Sequence, residues 1–103
     1  MGYKILWDFK ARNDLQQLYV YLSGKNTSAA NRTVAEISKK VKLLIDNPYL
    51  AATEQFLHDK KKAYRSLVAG NYKIVYMAEN KEIVIVRIWD CRRNPKDLRK
   101  SLE

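Results

Sequence analysis

A chain of 103 residues, 47% hydrophobic and with only two prolines and three glycines, is too apolar for wholesale disorder. Its lone cysteine, Cys91, excludes an internal disulfide, and no group of residues has the spacing of a zinc site. Twenty Lys and Arg against eleven Asp and Glu leave a net charge of +9, which points to a polyanionic partner.

One domain, 1–103, is expected, with a single modest core. The opening MGYKILWDFK is too short and too charged for a signal peptide, and no window approaches a membrane span. A cytoplasmic protein without a membrane partner is expected.

In chain order, Tyr3 to Trp7 is a short apolar run and predicts a strand. Asp8 offers a cap for a helix, along which Ala11, Leu15, Leu18, Tyr19 and Leu22 recur at steps of three and four. The run Ser23 to Asn26 breaks it. Thr27 or Ser28 can cap a second helix, striped by Ala30, Val34, Ile37, Val41, Leu44 and Ile45, which Asn47 and Pro48 end. Two helices on so short a loop predict an antiparallel hairpin.

The pattern dissolves between Tyr49 and Lys62, a segment holding the only histidine, His58, and the run Lys60, Lys61, Lys62. A solitary loop histidine and a lysine run read first as solvated surface. Strand periodicity then takes over: YRSLV, a turn at AGN, YKIVYMA, a turn at ENK where Asn80 tolerates positive φ, and EIVIVRIWD. Three strands so closely linked form an antiparallel meander. Pro95 begins a charged tail with a helical turn or two. The expected fold class is α+β, in the order β-α-α-β-β-β, with two N-terminal helices on one face of a small antiparallel sheet.

Side-chain alternation assigns faces. Tyr72, Ile74 and Tyr76 share one face, and Lys73, Val75 and Met77 the other. In the last strand Val84, Val86 and Ile88 form the apolar set and should meet the helices. Arg87 and Trp89 then lie on an open face, joined by Lys73 and by Arg65, with Arg92 and Arg93 at the strand's exit. The expectation is a cationic groove able to bind phosphate or carboxylate, since guanidinium groups suit both. No P-loop, dinucleotide fingerprint or nucleophile elbow is present, and no cofactor or metal is expected.

The stretch YRSLVAGNYKIVYMAENKEIVIVRIWDCRRNPKDL, with the helix pair ending in LLIDNPYLAA, resembles the RelE/ParE toxins of bacterial type II toxin–antitoxin systems. The resemblance implies a small sheet carrying two N-terminal helices. It also implies a cognate antitoxin partner, a protein with an acidic, flexible segment. Two activities follow. RelE-like members cut messenger RNA on the ribosome without a metal, and ParE-like members inhibit DNA gyrase without nuclease residues.

By position, Arg65, Lys73 and Arg93 fall where the nucleases carry catalytic cations. Arg87, Trp89, Arg92, Lys60, Lys61 and Lys62 are candidates for binding RNA or the antitoxin. The tail NPKDLRKSLE lacks the Tyr or His that the nucleases use there, and lysine, with an ordinary pKa of ~10.4, is a poor base at neutral pH. Ribosome-dependent message cleavage is the first expectation, gyrase inhibition the alternative, and a plain nucleic-acid-binding module a third. Whether the chain is an enzyme stays open at this point.

Overall fold

A computed structural model describes residues 2–57 and 62–102. Strand β1 (Lys4–Trp7) leads into helix α1 (Phe9–Ser23), helix α2 (Thr27–Leu43), strands β2 (Arg65–Ala69), β3 (Tyr72–Glu79) and β4 (Glu82–Asp90), and helix α3 (Pro95–Ser101). The order in the sheet is β1-β4-β3-β2. The meander β2–β3–β4 is antiparallel, while β1 lies parallel to β4, so the sheet is mixed.

Local chemistry accounts for most element ends. The Asp8 carboxylate accepts the Lys10 N–H at 3.3 Å and starts α1. The cap of α2 is Asn26, one residue before the expected position, its side-chain oxygen accepting from the Ala29 N–H at 3.0 Å. Asn94 caps α3 in the same way, and Pro95 sits in its first turn, where a missing N–H costs nothing. At the β3–β4 turn Asn80 and Lys81 both take positive φ, 52° and 64°, the geometry that matches a two-residue turn to strand twist.

The helix hairpin covers one face of the sheet. Ala11, Leu18, Ile37, Val41 and Leu44 pack there against Tyr72, Ile74, Tyr76, Ile83, Ile85 and Ile88. The β3 residues are those expected from alternation. In β4, however, the register jumps, with Val75 opposite Arg87 and Tyr76 opposite Ile85, which leaves Val86 as an extra residue. This bulge reverses the alternation midway along the strand. Ile83 and Ile85 therefore join Ile88 under the helices, and Val84 and Val86 turn away with Trp89.

The second face is not open. Leu57, Tyr64, Val75, Val86, Trp89 and Leu98 form a second buried cluster there, with Met77, Val84 and Leu102 at its margin. Its lid is α3, through Leu98, together with the 3-10 turn Gln55–Leu57. Two apolar residues at Leu98 and Leu102 give the charged tail one greasy side, and burying it covers what alternation alone leaves exposed. Among the described residues no helix is long and apolar enough to cross a membrane.

Candidate functional site

The cations expected to share a groove are distributed differently. Arg65 is paired in register with Tyr76, which places it on the helix face, whereas Lys73 is paired with Trp89 on the other. The Arg65 guanidinium donates to the Ala51 carbonyl at 2.7 Å and lies 5.0 Å from the Tyr49 ring, fastening the segment after α2 to the edge of the sheet. That segment runs antiparallel beside the start of β2: Thr53 bridges Arg65, Ser66 N–H donates to Ala52 O, and Glu54 N–H donates to Tyr64 O.

Lys73 is equally committed. Its ammonium forms an ion pair with Glu54, which is 3% exposed and also accepts from Phe56 N–H at 2.7 Å and Ser66 Oγ at 3.1 Å. Burial pushes the Glu54 carboxyl up, but Lys73 and these two donors outweigh it and hold the group below the ordinary carboxylate range. Nothing in the sequence marked Glu54, because its partners are 12 and 19 residues away along the chain.

Arg87 reaches round the edge of β4, where β1 has already ended, to Asp14 on α1. Its Nε and Nη2 donate to the two carboxylate oxygens at 2.7 and 2.8 Å, and the Ile88 N–H donates to the same carboxylate at 3.0 Å. Both side chains of this pair are mostly buried. Asp14 was the second residue that sequence reasoning missed; three residues after Ala11 and four before Leu18, it lies at the margin of the α1 apolar stripe, and its partner is 73 residues away.

The exit of β4 is the remaining cationic site. Arg93 N–H donates to Asp90 O at 3.0 Å, which turns the chain, and the Asp90 carboxylate takes the Arg92 guanidinium at 2.9 and 2.8 Å. The hydrogen bond from Arg92 holds the Asp90 carboxyl below its usual range. Arg93 lies over Trp89, its guanidinium carbon 4.2 Å from the ring centroid, and Arg87 approaches the same ring at 5.4 Å. Trp89 itself is 2% exposed, and its indole N–H has no partner among the described residues.

Arg93 makes no ion pair among the described residues. It lines a shallow cleft of about 330 Å³ with Asp14, Gln17, Tyr21, Tyr72 and Asp90. Burial pushes the Tyr72 phenol up, so it stays protonated at neutral pH and is no base there. The structure thus brings Arg87, Trp89, Arg92 and Arg93 together; Lys73, opposite Trp89 on the same face, is held by Glu54, and Arg65 lies on the helix face. Lys62 is exposed beside Met77 and Glu79, at the end of β3 away from Tyr72. Lys60, Lys61 and His58 lie outside the described residues.

The profile of the family described as "ParE toxin of type II toxin-antitoxin system, parDE" matches residues 5–95. No curated protein matches the chain significantly. Among solved structures, a chain of the chromosomal ParDE toxin–antitoxin system from P. aeruginosa has the same fold, with a TM-score of 0.69 and 24% identity over 86% of this chain and 96% of that one. With nine-tenths of its length inside one family profile, and with that family's helix hairpin and sheet, the chain belongs to the ParE toxins of type II toxin–antitoxin systems.

Proposed function

We propose that this toxin acts by binding DNA gyrase and not by cutting messenger RNA, and that an antitoxin holds it in check. The observation that carries this reading is the commitment of the cations. Metal-independent RNA cleavage needs several positive groups free to surround one phosphate, with an acid and a base beside them. Here Arg65 and Lys73 sit on opposite faces of the sheet, and Lys73 and Arg87 are each tied to a carboxylate inside the fold. Membership of the ParE family supports the same choice. What stays available is Arg93, stacked on Trp89 at the surface. A planar guanidinium preorganised on an aromatic ring suits docking onto a protein carboxylate.

The test is a paired assay with the purified toxin. Gyrase supercoiling is expected to fall with rising toxin while ribosome-bound messages stay full length. Cleaved messages beside unaffected supercoiling would overturn the proposal.

A further inference from the structure

The two edge strands of the sheet differ in how they are protected. β1 is four residues long, carries Lys4, and is preceded by a tie from Tyr3 N–H to the Ile45 carbonyl at 2.8 Å. β2 is covered only over its first half. Ser66 N–H points away from β3 and donates to Ala52 O, and alternation along an antiparallel strand turns the N–H and C=O of Val68 the same way. The segment after α2 has left the edge by Leu50, whose N–H donates back to Asn47 O. The outward groups of Val68 therefore have no partner among the described residues, and its side chain is 58% exposed.

An open edge is usually defended by a charge that keeps other strands away. Here Ser66 to Asn71 contains none, in a chain of which 30% is charged. The charges beside the strip are balanced as well. Lys73, opposite Val68 in register, is paired with Glu54. The side of α2 that shares a cleft with Ala69 and Gly70 brings one cation and one anion, Arg32 and Glu36. Phe56, its ring centroid 5.5 Å from the Lys73 ammonium, is also exposed, which gives Val68 an apolar neighbour on the second face.

We propose that β2 pairs edge to edge with β2 of a second copy of this chain, antiparallel about a two-fold axis at Val68. One edge paired antiparallel with itself is two-fold by construction, so each Val68 gives its N–H to the other's C=O and receives one in return. The occupant follows from the charge. Two copies at +9 repel each other over most of their surface, and only a locally neutral strip lets them approach. A strongly acidic partner finds no cation on this strip to hold it. The pairing joins two four-stranded sheets into one continuous sheet, with both helix hairpins on the same side. It does not depend on which target the toxin acts on.

The experiment follows sedimentation and amide exchange of the whole toxin from about 10 μM to about 1 mM, a range suited to a small, weak interface. A monomer is expected at the low end and a dimer at the high end, with Val68 amide exchange slowed about tenfold as the dimer forms. Val68→Lys sets two cations against each other across the axis, and should weaken the dimer about tenfold while unfolding near the parent's midpoint. Val20→Lys adds the same charge at a comparably exposed apolar position on α1, 62% exposed, and should leave the dimer near the parent's. Equal losses in the two variants, or a dimer whose Val68 amide still exchanges freely, would overturn the inference. So would a monomer at every concentration; protection of its Val68 amide by an added acetylated Thr-Val hexapeptide would then assign the edge to an extended segment of another protein.

Discussion

The Arg87 guanidinium and the Asp14 carboxylate meet through two parallel hydrogen bonds of 2.7 and 2.8 Å, and Asp14 also takes the Ile88 N–H. One carboxylate therefore closes the strand edge that β1 leaves bare, and joins α1 to β4. Its removal strands a mostly buried cation and a backbone donor together. Asp14→Ala is expected to cost about 2–4 kcal/mol in urea unfolding, in the range for losing charge-assisted hydrogen bonds plus an unpaired buried group. A cost under about 0.5 kcal/mol would show the pair to be ornamental.

Glu54 and Lys73 give the fold a dependence on acid. The folded Glu54 carboxyl titrates below its ordinary value of 4.5, so its contribution is complete above that value and is lost as pH falls through the folded one. Stability should fall below about pH 4.5 for this group. In Lys73→Met, burial acts on Glu54 without its main counterweight. Acidification should then relieve the variant, and the gap between the two proteins' urea midpoints should narrow from pH 7 toward about pH 3. Parallel curves would refute this account.

The β3–β4 turn carries a cost at Lys81, an ordinary residue at φ 64°. Left-handed backbone costs a side-chain-bearing residue roughly 1–2 kcal/mol, part of which glycine returns in unfolded-state entropy. Lys81→Gly should raise stability by about 0.5–1 kcal/mol, read as a higher thermal midpoint. A lower midpoint would mean that the lysine side chain contributes something not visible in its contacts.

Arg93 separates function from folding. Its stack on Trp89 is worth only about 0.5–1 kcal/mol at an exposed site, so Arg93→Ala should unfold close to the parent. On the proposed reading it should nevertheless weaken gyrase inhibition roughly tenfold, as a contact at the centre of a docking patch would. Full inhibition by a well-folded Arg93→Ala toxin would remove Arg93 from the site.

The helix hairpin, the antiparallel meander and the family likeness were all legible in the chain, because each rests on local spacing. Ala11, Leu15, Leu18 and Leu22 recur at helical steps, and Tyr72, Ile74 and Tyr76 alternate as a strand must. Turn chemistry at Asn80 is equally local, whereas α2 ends at Leu43, earlier than the stop that Asn47 and Pro48 predict. The cluster at the end of β4 was also legible in part, since Arg92 and Arg93 follow Trp89 directly.

Tertiary structure alone decided which faces those side chains occupy. The bulge at Val86 arises from pairing β3 with β4, and one extra residue exchanges the faces of everything after it. The helix α3 settles on the second face because Leu98 finds Trp89 and Val75 there, a contact set by the path of the whole chain. Partners distant in sequence, Asp14 for Arg87 and Glu54 for Lys73, then took up cations that spacing alone leaves free. Local periodicity encodes backbone conformation, but whether a charge is free or paired depends on which distant carboxylate packing brings beside it.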